Sequence, residues 1–180
     1  MSKKKIFDVK EADAFFNRYE KGQNLEPTKI LADWLEPFKK KITKIAEIGC
    51  GNGESLSLLS KTLNTDAYGI EPSKLAVRHI SKKFPSIKIT QGFSDKIPFN
   101  DEFFDLVHLG FFLYLVDRSY YLRSISEADR VLKFGGFLSI IDFDTPFQYS
   151  NKYKHKKGVF SHKIDNSKIF QSSGFYSLVN

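Results

Sequence analysis

Ile45-Ala46-Glu47-Ile48-Gly49-Cys50-Gly51-Asn52-Gly53-Glu54 is the stretch that decides how the rest of the chain is read. A short apolar run meets an acid, passes through three alternating glycines, and opens into a segment carrying Leu56, Leu58, Leu59 and Leu63. This pattern predicts a buried strand, a tight turn, and a helix over about residues 54–63. Glycine has no Cβ, so backbone there can turn sharply or lie directly against a ligand. A glycine turn between strand and helix is where open α/β folds bind nucleotide-like molecules.

The glycine spacing narrows the ligand. The dinucleotide fingerprint is G-x-G-x-x-G, with a pyrophosphate on the helix N-terminus. Here the third glycine comes one position early, and Glu54 stands where the fingerprint wants glycine. A carboxylate there opposes a pyrophosphate, although it suits the helix dipole. That disfavours a nicotinamide-dependent oxidoreductase, and the lack of a following Gly-Lys-Ser/Thr excludes a P-loop. An adenosine ligand without phosphate fits better. Glu47-x-Gly49-x-Gly51-x-Gly53 resembles the first motif of the class I S-adenosylmethionine-dependent methyltransferases, of the small-molecule type (methyltransferase domain 11/25-like). The resemblance implies a doubly wound, Rossmann-like α/β fold with a mostly parallel sheet of strand order 3-2-1-4-5-7-6. It also implies S-adenosyl-L-methionine as cofactor, with Glu47, Gly49, Cys50, Gly51 and Gly53 around it.

The chain on either side agrees. Residues 11–21 predict a short amphipathic helix with Phe15, Phe16 and Tyr19 on its apolar side, stopped by Gly22. A second helix, about 27–40, has Pro27 in its first turn and a stripe of Ile30, Leu31, Trp34, Leu35 and Phe38. In the resembled family such segments fold over the cofactor, which makes Tyr19 a candidate lid residue. Residues 66–70 predict the second strand, ending at Glu71-Pro72-Ser73. Glu71 lies about 20 residues beyond the glycines, where these folds present a carboxylate to ribose hydroxyls. Pro72 forces the chain out of the strand, and Ser73 can cap the helix running to Lys83. A third short strand, 85–90, leads to Gln91-Gly92-Phe93-Ser94-Asp95 and then Ile97-Pro98-Phe99. This resembles the family's third motif, which implies that Asp95 accepts from the adenine amino group. It also implies that the Ser94 amide meets the ring and Phe93 packs on its face.

Residues 103–110 read as a fourth strand buried on both faces. The family places this strand's end beside the methionine portion of the cofactor, so His108, Leu109, Gly110, Phe111 and Tyr114 become candidates. Enzymes of this class that methylate base amines carry Asp/Asn/Ser-Pro-Pro-aromatic here, whereas this chain has His108-Leu109-Gly110-Phe111. Pyrimidine carbon-5 methylation needs a cysteine nucleophile, and Cys50 lies inside the glycine loop. A helix over 119–132 is expected to end at Lys133-Phe134-Gly135-Gly136 with a left-handed cap, followed by a fifth strand, 137–143. Arg130-Val131-Leu132-Lys133-x-Gly135-Gly136 again resembles the family. Asp142 and Asp144 then sit at the substrate face.

Beyond residue 145 the pattern breaks into a basic and aromatic segment: Tyr149, Lys152, Tyr153, Lys154, His155, Lys156, Lys157, His162. Such groups suit a phosphorylated or nucleotide-linked acceptor, or RNA, and equally a solvated loop. A final helix, 166–173, and one more strand, 175–179, close the chain. The sheet is therefore expected to lack its last strand unless residues 145–163 supply it. An oxygen acceptor needs proton removal, for which His108, Asp142 and His162 are the candidates. The resulting expectation is methyl transfer to oxygen or nitrogen of a small molecule. RNA methylation and non-catalytic cofactor binding are the alternatives.

Composition sets the outer bounds. At 180 residues the length suits one domain: residues 1–43 as N-terminal helices, 44–144 as cofactor core, 145–180 on the acceptor side. The most apolar stretch, 103–116, is shorter than a membrane span of about 20 residues and carries Asp105 and His108. Lys3, Lys4 and Lys5 have no apolar run behind them, so no signal peptide is read, and a cytoplasmic location is expected. A single cysteine excludes an internal disulfide and a cysteine-rich metal cluster. The net charge of +7 suits either phosphate-bearing partners or a lysine-rich solvated surface.

Overall fold

The computed structural model describes residues 7–19, 24–143 and 145–179. Its centre is a five-stranded sheet: β1 (Lys44–Ile48), β2 (Asp66–Glu71), β3 (Lys88–Gln91), β4 (Phe104–Gly110) and β5 (Leu132–Ile141). The order is β3-β2-β1-β4-β5 and every neighbouring pair is parallel. The helices are α1 (Val9–Tyr19), α2 (Glu26–Leu35), α3 (Glu54–Leu63), α4 (Lys74–Lys83), α5 (Arg118–Val131) and α6 (Ser167–Gln171). None is long and apolar enough to cross a membrane among the described residues.

Alternation along the strands sorts the core into two layers. Ile45, Ala67 and Leu106 pack with Leu56, Leu59 and Leu63 of α3 and Ile80 of α4. Ala46, Ile48, Val107 and Leu109 pack with Ala128 and Val131 of α5 and Phe170 of α6. Both faces are thus covered, which is why β4 reads as an almost unbroken apolar run. Leu56 and Leu59 are fully buried, and each contributes about 2 kcal/mol by leaving water. Of the stripe expected on α2, Leu35 is buried but Ile30 is exposed.

The strand order reverses between β1 and β4, with β2 and β3 running off one way and β5 the other. The helices leaving these two central strands go to opposite faces, so a crevice opens above their carboxyl ends. The loop after β3 forms one wall of it and is clamped by α5. Arg130 donates to the carbonyls of Ile97 and Phe99 and pairs with Glu127 and Asp101. Glu127 in turn accepts from the Ile97 N–H at 2.7 Å.

Several elements depart from expectation. The helix α5 ends at Val131 without a glycine cap, because Leu132 is already extended. Gly135 is left-handed (φ 73°), but it serves a bulge in which β5 pairing jumps from Phe104↔Leu132 to Leu106↔Phe137. The strand then stops at Ile141 rather than residue 143. Residues 145–163 form a separate antiparallel hairpin, β6 (Tyr149–Lys152) and β7 (Phe160–Lys163), instead of extending the main sheet. The strand expected at 175–179 is absent: Phe175 and Leu178 are exposed with no pairing partner among the described residues. Gly22, expected to stop the first helix, and Asp144 lie outside the described residues.

At the opposite end of the sheet Asp105 joins β1 to β4. Its Oδ2 accepts from the Thr43 N–H, the Thr43 hydroxyl and the Lys44 N–H at 2.9, 2.7 and 2.9 Å, and Lys133 pairs with Oδ1. Burial pushes this carboxyl up, but Lys133 and the three donors outweigh it and hold it down at about 2. An unfolded aspartate titrates near 3.9. The stabilisation is therefore complete above about pH 4 and is lost as pH falls through 2. Asp105→Asn is expected to lower stability at pH 7 by about 2 kcal/mol and to flatten the stability profile between pH 4 and 2, as read by urea unfolding at each pH.

Candidate functional site

The site begins where β1 stops. Gly49, Gly51 and Gly53 all adopt left-handed backbone, with φ of 73°, 53° and 78°. Gly49 donates its N–H to the Ile70 carbonyl at 2.7 Å, and a Cβ at this position would fall 2.8 Å from the Cβ of Phe112. Gly51 differs: a Cβ there would meet no protein atom within 4 Å. The first glycine is required by packing, whereas the second faces open space. Glu54 at the start of α3 is turned outward to pair with Lys83 at 2.8 Å.

Glu71, at the end of β2, fixes this loop. Its two carboxylate oxygens accept from the Gly51 N–H at 3.0 Å and the Ser73 N–H at 2.9 Å. Burial raises its pKa to about 7; the two N–H donors pull down and Asp13 pushes up. Ser73 caps α4 as expected, its hydroxyl accepting from the Ala76 N–H. That hydroxyl donates to Asp13 of α1 at 2.7 Å, and Asp13 also accepts from the Leu75 N–H. Asp13 thus caps α4 from another helix and holds α1 over the crevice. On the facing wall, Ser94 bonds Ser124 of α5 at 2.7 Å, which steadies the loop bearing Asp95.

These parts enclose a cavity of about 530 Å³. Gly49, Cys50, Gly51, Glu71 and Pro72 line one side of it; Phe93, Ser94, Asp95, Gly110 and Tyr19 are further lining residues. The thiol of Cys50 is buried and its pKa is pushed well up, first by burial and then by Glu71 and Glu47, so it is no nucleophile. Gly53 points instead at Ile80, and Leu109 packs in the core below.

Glu47 and His108 lie beneath the floor rather than on it. They are register partners in β1 and β4, 2% and 1% exposed, and both crowd the position a Gly110 side chain would take. Burial, with Glu71 adding to it, pushes the Glu47 carboxyl well up, and its Oε2 finds no hydrogen-bond partner among the described residues. His108 bonds Ser139 at 3.1 Å, and burial lowers it to about 4, so it stays neutral. His162 sits on the hairpin against Ser150. Asp142 is half-buried and engaged by Asn166 and the Phe143 N–H. None of the three residues expected to handle a proton faces the cavity, because each belongs to a buried or hairpin network of its own.

The far end of the cavity is aromatic. Phe111 and Tyr114 stand 5.8 and 5.0 Å from Phe143, and Phe15 stands 4.7 Å from Tyr19, centroid to centroid. Phe111 reaches its place through a left-handed backbone (φ 49°), uncommon for a bulky residue. No lysine, arginine or histidine lines the cavity among the described residues. The hairpin closes this end from outside: Arg18 of α1, paired with Glu11, bonds the Tyr153 hydroxyl at 2.9 Å, and Lys163 lies over the ring of Tyr114. Sequence reasoning missed Asp13, Phe112 and Phe143. The apolar side read from Phe15, Phe16 and Tyr19 hinted that α1 faces inward, but nothing local marks Asp13 as a cap for another helix.

The chain is similar to known proteins in sequence and fold. The model of the methyltransferase-domain family matches residues 46–140, more than half of the chain. The demethylmenaquinone methyltransferase of Chlorobaculum tepidum is 32% identical over 101 residues, covering 55% of this chain and 40% of that protein. A structure from Methanococcus maripaludis, described as an S-adenosyl-L-methionine-dependent methyltransferase, superposes with TM-score 0.60 at 24% identity over 79% of this chain and 67% of its own. A geranyl diphosphate C-methyltransferase from Streptomyces coelicolor, complexed with S-adenosyl-L-homocysteine, gives 0.53 at 18% identity over 63% and 44%. At these identities the structural likenesses establish the fold. The chain spans about half or less of the length of the curated relatives it matches. The glycine loop, the acid after β2 and the clamped third loop thus sit within the matched span, and the chain belongs to the methyltransferase-domain family.

Proposed function

We propose that this chain binds S-adenosyl-L-methionine and transfers its methyl group to oxygen or nitrogen of a small-molecule acceptor. The reading rests above all on the convergence of Gly51, Glu71 and Asp95 on one cavity. The residues present suit that cofactor. Gly51 leaves the space a ligand's backbone-facing edge needs, and Glu71 retains acceptor capacity for a vicinal diol. Asp95 is an acceptor on a loop fixed from behind by the Ser94–Ser124 bond. The bound cofactor would supply an electrophilic sulfonium methyl. The protein's share is to orient an acceptor against it and to exclude water, for which the aromatic end of the cavity is suited.

The lining fits an apolar acceptor better than a phosphorylated or nucleotide-linked one, since it carries no cation among the described residues. The relative named for demethylmenaquinone is in keeping with that choice. Orientation, rather than a proton relay through His108, carries the catalysis in this reading, because His108 is sealed below the floor.

Calorimetry with S-adenosylhomocysteine tests the assignment. The parent protein should bind, and Glu71→Ala or Asp95→Ala should weaken binding roughly ten- to hundredfold; a parent that does not bind ends the reading. Gly51→Ala should weaken binding comparably while costing only about 1 kcal/mol of stability from its positive φ, a contrast visible by pairing the titration with thermal unfolding. The ribose-binding form of Glu71 is the carboxylate, present above about pH 7. Affinity should therefore rise between pH 6 and 8 in the parent and stay flat in Glu71→Gln.

A further inference from the structure

We propose that Lys163 is a specificity-determining residue of the acceptor end, where it meets an acidic oxygen on an apolar, ring-bearing acceptor. This rests on the methyl-transfer reading and assigns the acceptor's chemistry. The chamber formed by Phe15, Phe111, Tyr114 and Phe143 suits a flat apolar body, and Phe111 and Phe143 remain partly exposed at its mouth. Aromatic walls bind such a body through area and offset ring contacts, but they do not fix which way it faces. A charged group at the rim can.

Lys163 does not itself line the cavity, but it is a hairpin cation lying against two of the rings that do. It ends β7, which packs against the turn at Leu113–Leu115, and its Nζ lies 4.4 Å from the Tyr114 centroid and also over Phe143. Both rings line the cavity. By contrast Lys152, Lys154 and Lys157 are exposed to solvent. No carboxylate oxygen of the described residues forms an ion pair with Lys163, although Asp142 attracts it. Burial lowers the pKa of this ammonium, and the attraction of Asp142 pulls the other way. A carboxylate or phenolate arriving at the mouth would pair with this ammonium, while the ring it belongs to enters the aromatic chamber. The acceptor atom then faces the cofactor end because the acidic oxygen is held at the other.

The competing role is a plain clamp, with the ammonium bound only to the two rings. Such a clamp would stabilise the hairpin without sensing the charge of a ligand. The two roles separate with a matched pair of probes, 2-naphthoate and 2-naphthamide, titrated calorimetrically into the full chain saturated with S-adenosylhomocysteine. The anion is expected to bind roughly tenfold tighter than the amide, the factor that about 1.4 kcal/mol supplies. Lys163→Met should abolish that preference while leaving amide binding unchanged, and Lys163→Arg should restore it. Equal affinity for the two probes in the parent, a preference that survives in Lys163→Met, or binding of neither probe by a protein that holds S-adenosylhomocysteine would each overturn the proposal. S-adenosylhomocysteine affinity reports folding of the variants; should Lys163→Met fail to bind it, Lys163→Gln takes its place and the parent comparison still decides. A parent that binds no S-adenosylhomocysteine is instead the failure of the methyl-transfer reading.

Discussion

The carboxylate of Glu71 is the constraint on which the site depends. One oxygen holds the Gly51 N–H and the other the Ser73 N–H, so a single buried acid fixes both loops that cross the carboxyl edge of β1 and β2. Through Ser73 the same network reaches Asp13 and thereby α1. Burying such a group is costly unless its lone pairs are satisfied, and the two backbone donors meet that need. Without them the loop would lose this acidic anchor, and the open face at Gly51 would have no fixed shape to offer.

Around that anchor the sheet does the positioning. Parallel strands sealed on both faces cannot shift register without exposing their core, so the ends of β1, β2 and β4 are held at fixed heights. The loop after β3 has no such strand behind it and is fixed by α5 instead, through Ser124, Glu127 and Arg130. The cavity thus has one wall set by strand register and another set by polar clamps. Its far end is set by ring packing, with Phe111 held in an uncommon backbone conformation.

Much of this was legible in the sequence. The run from Ile45 to Leu63 announced strand, turn and helix because glycine spacing and leucine periodicity are local signals, and Ser73 announced its own cap. The ends of α5 and β5 were misjudged, because Gly135 serves a bulge whose cause lies in pairing with β4 rather than in the helix before it. The hairpin escaped notice for a similar reason: its strands are polar and mostly exposed, so they carry no clear alternation. His108 read as a strand-end histidine near the ligand, yet its place in the pleat turns it toward Glu47 and Ser139 under the floor. Strand parity relative to neighbours, not residue type, made that choice. Asp13 left no local trace, since its partners are 60 residues away.

The link from Glu11 through Arg18 to Tyr153 bears on how molecules come and go. It joins the helix on one rim of the mouth to the hairpin on the other, and the guanidinium also lies near the rings of Phe15 and Tyr153. The two rims are therefore latched together. Parting them for a broad occupant breaks the exposed hydrogen bond from Arg18 to Tyr153, while the Glu11–Arg18 pair travels with the helix.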